Sequence, residues 1–141
     1  MLASFRFHHF GLATRNMAQS AAFLTAGGYR IGEWVFDPEQ SVTLAFAEHP
    51  SMPSVELIAA KDGVPSPVDN LLKSAAAAVY HLGYGCVSLE TAVEELKTGG
   101  FRAMRVSPPK PAILFGGARV AFYFIREFGL VELIEEEAGQ G

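Results

Sequence analysis

The sequence predicts an α+β domain built from two tandem βαβββ modules. Three observations predict it. The stretch "HFGLATRNMAQSAAFLTAGGYR" (9–30) aligns without a gap on "HLGYGCVSLETAVEELKTGGFR" (81–102), at an offset of 72 residues. The tetrapeptide "VELI" stands at 55–58 and returns at 131–134, in the same order after each aligned stretch. Each copy also reads as a strand, a helix and then further strands. Module one spans about 5–60, a linker helix about 66–78 and module two about 78–136, all within one domain of 141 residues.

Each module opens on a strand, "FHHFGLA" in the first and "YHLGYGCV" in the second, where apolar residues mix with glycine and polar turns bound the run. A helix follows in both. Asn16 and Ser88 are the expected N-caps, and Gln19, three residues after Asn16, completes a capping-box pattern. Met17, Ala21 and Leu24, and likewise Leu89, Val93 and Leu96, fall at the i, i+4, i+7 spacing of a helix lying on a sheet. The pairs Gly27-Gly28 and Gly99-Gly100 stop the helices, because glycine takes the left-handed conformation at little cost. Strands are expected at 29–35, 41–47 and 54–60, then at 101–106, 119–125 and 129–135. In the linker "SPVDNLLKSAAAA", Ser66 suits an N-cap and Pro67 the first helical position. The end "EEEAGQG" is expected to fray.

Composition removes several classes of function. Half of the chain is hydrophobic and 18% is charged, which suits a packed core and argues against disorder. The net charge of −4 leaves no basic stripe, so nucleic acid is not an expected partner. The single cysteine, Cys86, makes neither an intramolecular disulfide nor a cysteine-rich metal cluster. "MLASFRFHHF" is too broken by charge and histidine for a signal peptide, and no apolar run approaches the ~20 residues of a membrane helix. A cytoplasmic protein is expected.

Strand side chains alternate between faces. His9 therefore shares a face with Gly11 and Ala13, and His81 with Gly83 and Gly85, while Phe10, Leu12, Leu82, Tyr84 and Cys86 point the other way, towards the helices. Each histidine lies on a face stripped of bulk. Glu56 and Glu132 lie inside the apolar "VELI" strands, where a carboxylate buried alone is costly and needs a partner, a metal or solvent. Taken singly, a strand histidine is more often structural and a strand glutamate more often solvent-facing. Matched across a duplication, two imidazoles and two carboxylates converge. That N2O2 set suits one divalent ion (Zn, Ni, Co, Mn or Fe) and leaves two positions of an octahedral ion open to a substrate. The expected metal ligands are thus His9, Glu56, His81 and Glu132. His8 faces away and is expected to be structural, and His49 is given no role.

At these residues the chain resembles the vicinal oxygen chelate superfamily, also called the glyoxalase/bleomycin-resistance/dioxygenase fold. The matching stretches are "HHFGLA", "DPEQSVTLAF", "VELI", "SPV", "YHLGYGCVSLETAVEELKTGGFR", "PPKPAILFGGARVAFYF" and "GLVELIE", which together cover nearly the whole chain. It looks most similar to the glyoxalase-like branch that includes methylmalonyl-CoA epimerases, and the His/Glu/His/Glu set also matches bacterial glyoxalase I. The resemblance implies an open, U-shaped mixed sheet around one divalent metal held by His9, Glu56, His81 and Glu132.

The implied reaction is removal of a proton from the carbon beside a carbonyl held at the metal. Glu132 is the first candidate to accept that proton, with Glu56 serving the opposite face. Return of the proton to the other face gives an epimerase, and return to the neighbouring carbon gives a glyoxalase-I-like lyase. The substrate class is a small carbonyl compound or acyl thioester, and a homodimer is expected. The stretch 107–120 is expected to loop over the cleft, with Lys110 and Arg119 able to meet an anionic substrate and Trp34, Phe36 and Phe115 able to line the pocket. Two other readings stand beside this one. A non-catalytic small-molecule binding or resistance protein has the same fold but typically lacks the ligands. An Fe(II) ring-cleaving dioxygenase uses two histidines and one glutamate.

Overall fold

The computed structural model describes residues 2–136. The elements in chain order are β1 (Arg6–Thr14), α1 (Met17–Ala26), β2 (Arg30–Ile31), β3 (Val35–Asp37), β4 (Val42–Glu48), β5 (Val55–Ala59), α2 (Asp69–Ser74), β6 (Ala77–Cys86), α3 (Leu89–Thr98), β7 (Ala103–Arg105), β8 (Lys110–Pro111), a 3-10 turn (Ile113–Phe115), β9 (Arg119–Ile125) and β10 (Gly129–Glu135). The chain divides into two compact units, residues 9–80 and residues 81 onward with the first eight. Both carry the expected βαβββ plan. No helix among the described residues is long and apolar enough to cross a membrane.

In the unit of residues 9–80 the strand order is β2-β4-β5-β1, with β3 also on β4. β1 and β5 run parallel, and β4 is antiparallel to β2, β3 and β5. The helix-side face is apolar: Met17 of α1 packs with Ala45, Leu57 and Ala59, and Leu12, Leu24 and Val55 close around them. The other unit repeats the arrangement as β6-β10-β9-β7, with β8 also on β9 and β6 parallel to β10. Here Leu89, Ala92 and Leu96 of α3 pack on Cys86, Ala121, Tyr123, Val131 and Leu133. The Cys86 thiol donates to the Ile134 carbonyl, and burial, reinforced by Glu135 and Glu136, pushes its pKa up to about 12, so it stays an unreactive thiol.

The N-caps and the glycine stops act as the sequence indicates, but the capping box is only half made, because the Asn16 amide donates to Thr14 Oγ1. The Gln19 amide donates to Asn16 Oδ1 at 3.0 Å, and the Thr91 amide to Ser88 Oγ at 3.0 Å. The second glycine of each pair takes the positive φ that ends the helix, +94° at Gly28 and +82° at Gly100.

Three local expectations need correction. The strand expected at 29–35 is two short strands, parted where the Gly32 amide donates to the Phe46 carbonyl. The linker helix is only Asp69–Ser74, and Ser66 is not its N-cap. The Ser66 amide and hydroxyl both donate to the Asp69 carboxylate, so Ser66 and Asp69 close a turn ahead of the helix, and by Ala77 the chain has already entered β6. The stretch 107–120 is not an open loop either, since β8 pairs with β9 and the 3-10 turn joins them. Of the acidic end, Glu135 closes β10 and Glu136 pairs with Arg6, and the residues beyond 136 lie outside those described.

Arg119 departs from its expected role for an electrostatic reason. Its guanidinium donates to Glu135 (2.6 Å) and Glu90 (2.7 Å), clamping β10 to the start of α3, and the Leu89 amide donates to the same Glu135 carboxylate. An arginine already forked between two carboxylates is not available to an anionic substrate. Arg119 and then the Leu89 amide hold the Glu135 carboxyl below its ordinary value of 4.5. A lowered folded-state pKa contributes stability above the unfolded value that is lost as pH falls through the folded one. Arg119→Gln is therefore expected to reduce unfolding free energy only modestly at pH 7, because the pair is partly exposed. The difference from the parent should shrink as the pH is lowered below 4.5 and through the folded-state value, as checked by urea unfolding across an acid pH series.

Candidate metal centre

Each unit places one histidine and one glutamate side by side on the face of its sheet opposite the helix. On residues 9–80, β1 and β5 pair with Gly11 beside Glu56, so no side chain at position 11 competes with the carboxylate. His9, two residues away on the same face, brings Nε2 to 3.6 Å from Glu56 Oε1, and neither residue is more than 4% exposed. The other unit repeats the device. Gly83 stands beside Glu132, and His81 Nε2 lies 3.3 Å from Glu132 Oε1, with both residues buried. The glycine strip legible in the sequence thus makes room for a carboxylate.

A third residue joins each pair. Phe46 of β4 stands opposite Glu56 and meets His9 edge-on, at 5.8 Å between ring centroids. Phe122 of β9 stands opposite Glu132 and meets His81 edge-on at 5.2 Å. Both contacts are near-perpendicular, the geometry favoured between aromatic rings. Sequence reasoning missed these phenylalanines, although a signal existed. Ala45-Phe46 and Ala121-Phe122 are separated by 76 residues, the same offset as the two "VELI" segments.

His9, Glu56, His81 and Glu132 each offer one ligand atom, and these four atoms lie within 4.8 Å of one another. Zinc-like ions sit ~2.1 Å from nitrogen and oxygen ligands, so two atoms on one ion are at most ~4.2 Å apart. Four ligand atoms this close are near enough to be drawn onto a single ion. Neutral imidazoles and carboxylates are also the donor types such ions take, and four buried polar groups in an apolar setting are otherwise expensive. The residues fit one divalent ion.

The remaining expected site residues divide. Phe115 packs against Ala112, Val120 and Ile134, and register puts Val120 and Ile134 on the Glu132 face of the sheet. Lys110 stands opposite Val120 and so belongs to that face as well. Phe36 does not reach the His9 face. It pairs with Thr43, whose side chain points away from Glu56, and its ring carries the Lys61 ammonium at 4.6 Å. Trp34 is exposed in the segment between β2 and β3. His8 packs edge-on against Phe115 at 5.0 Å. His49 accepts the Ser51 and Met52 amides on Nδ1, which shapes its own loop. Sequence reasoning also overlooked Asp37, which is 1% exposed at the end of β3.

A family model described as the glyoxalase/bleomycin resistance protein/dioxygenase superfamily matches residues 8–122. No curated protein matches the chain significantly. Solved structures are similar along almost the whole chain. A hypothetical protein from Bacillus halodurans has 22% identity and a TM-score of 0.77, over 98% of this chain and 99% of its own. Methylmalonyl-CoA epimerase from Mycobacterium tuberculosis has 17% identity and a TM-score of 0.72, over 94% and 87%. A variant of the Streptomyces coelicolor methylmalonyl-CoA epimerase in complex with 2-nitronate-propionyl-CoA has 19% identity and a TM-score of 0.66, over 96% and 99%.

Proposed function

Because the chain belongs to the glyoxalase/bleomycin resistance protein/dioxygenase superfamily, we propose that it is a divalent-metal-dependent epimerase or isomerase that removes a proton beside the carbonyl of a small acyl thioester. The observation that carries this reading is the buried set of two imidazoles and two carboxylates, whose ligand atoms lie within 4.8 Å of one another. A divalent ion held there supplies a Lewis acid that polarises a carbonyl oxygen.

The chain's own residues do the rest. Glu132 accepts the proton on a carboxylate oxygen, the role a positioned carboxylate plays in general base catalysis. Glu56 is the second carboxylate: a proton taken up from solvent passes through it to the other face of the carbon, which inverts the carbon, and the proton held by Glu132 is released to solvent. His9 and His81 keep the site's geometry, with their rings held by Phe46 and Phe122. The apolar residues on the Glu132 face, Val120 and Ile134, each at most 2% exposed, keep bulk water from the proton during its transfer. The thioester class draws support from the similar epimerase structures, one of them with methylmalonyl-CoA bound.

The test uses metal-loaded protein with methylmalonyl-CoA and propionyl-CoA in deuterium oxide. About one ion per chain by elemental analysis, with deuterium entering at the carbon beside the thioester faster than in buffer, is the expected result. An ion without exchange would favour the binding-protein reading, and oxygen uptake with catechols the dioxygenase.

A further inference from the structure

The side-chain face that carries His9 and Glu56 holds a third buried charge-bearing group, Asp37. Strand register settles its placement. Phe46 pairs with Glu56, so Leu44 and Val42, two and four residues earlier on β4, project from the same face of the sheet. Asp37 pairs with Val42 across β3 and β4, and directly paired residues share a face. Asp37 thus faces the same way as Glu56, beside Val42 and Leu44, each only 2% exposed.

One oxygen of this carboxylate has a structural task. Asp37 Oδ1 accepts the Glu39 amide at 2.9 Å and the Gln40 amide at 3.3 Å, which fixes the turn into β4. The other oxygen, Oδ2, is buried and has no hydrogen-bond partner among the described residues. A turn of this kind needs one acceptor, and asparagine or serine would supply it without burying a charge. A second buried acceptor with nothing to accept is a penalty that a bound donor would relieve.

We propose that Asp37 sets the substrate preference of this site: Oδ2 accepts a hydrogen bond from a hydroxyl on the acyl part of the substrate, away from its reacting carbonyl. The same carboxylate disfavours a substrate that brings a carboxylate to that place, because two like charges in an apolar wall repel strongly. This deepens the thioester reading and rests on it for where the reacting carbonyl lies. Among acyl thioesters it favours those that bring a hydroxyl, and not a carboxylate, to that place. The physical basis of selection is the one that lets a site built to pair a hydroxyl reject an analogue lacking it.

Three CoA thioesters serve as probes: butyryl-CoA, 3-hydroxybutyryl-CoA and succinyl-CoA. Their binding to the metal-loaded full chain is measured by calorimetry, and deuterium exchange beside the thioester is followed separately. The parent is expected to bind 3-hydroxybutyryl-CoA about 10- to 100-fold more tightly than butyryl-CoA, the worth of a hydrogen bond to a charged group, and to bind succinyl-CoA least. Asp37→Asn keeps an acceptor for the turn amides and should shrink the hydroxyl preference to within about 3-fold, while raising relative affinity for succinyl-CoA. Asp37→Ser, which also keeps one turn acceptor, should do the same, so a folding defect in one variant leaves the other to decide. A parent with no hydroxyl preference, no measurable binding of 3-hydroxybutyryl-CoA, or a preference that survives in the folded variants overturns the assignment. Discriminating binding without exchange of any thioester would instead reject the proton-abstraction reading and keep Asp37 in its role.

Discussion

Glu132→Gln is expected to lower the rate of deuterium entry at the substrate carbon by about 100- to 10,000-fold, the usual worth of a positioned general base. Glutamine keeps the shape of the side chain and one oxygen that can still face an ion, but its amide cannot take a proton at neutral pH. The variant should therefore still bind close to one ion per chain, and elemental analysis has to be run beside the exchange assay. Loss of exchange together with loss of the ion would say only that the site had come apart. Exchange at the parent rate, with the ion retained, would remove Glu132 from the chemistry and leave Glu56 as the base. Glu56→Gln separates the two roles further. If Glu56 serves the second face, exchange of one stereochemical position persists while inversion stops.

The second large effect concerns stability. His9, Glu56, His81 and Glu132 are all buried, and an ion that binds them only in the folded chain stabilises that chain by mass action. At a free ion concentration 100 times the dissociation constant, the gain is ~2.7 kcal/mol. For a domain of this size that corresponds to a rise of roughly 5–15 °C in the melting temperature. Thermal unfolding in a chelator and then in a series of divalent ions would show it, and the ordering of the shifts would rank the ions. His81→Ala should abolish most of the rise. A melting temperature indifferent to every divalent ion would mean that the four side chains do not form a metal site.

The duplication was legible because it lies in residue identity at fixed offsets, which survives without any knowledge of the fold. From it the two histidines, the two glutamates and the glycine strip follow by strand alternation alone. Other features depend on partners distant in sequence. Arg119 looked available because Glu90 and Glu135 stand 29 and 16 residues away. Asp37 reads as the first letter of a turn, "DPEQ", and only the pairing of β3 with β4 shows which face of the sheet carries it. Residue type makes Phe36 a candidate for the pocket lining, yet its strand position puts it on the other face of the sheet. The expected linker helix is overlong because alanine favours helix in isolation, whereas Ala77–Tyr80 already belong to β6.

The edge-on phenylalanines bear on how readily an ion is captured. An imidazole free to rotate must give up rotamer entropy when it coordinates, whereas one already wedged against an aromatic ring gave it up when the chain folded. Phe46 and Phe122 thereby preorganise ligands for an ion to which they donate nothing. Phe122→Ala is expected to weaken ion affinity by about 10-fold, in line with what supporting residues around metal ligands contribute, while the number of ions per chain at saturation stays at one. The affinity of such a centre depends on its hydrocarbon rings as well as on its nitrogen and oxygen donors.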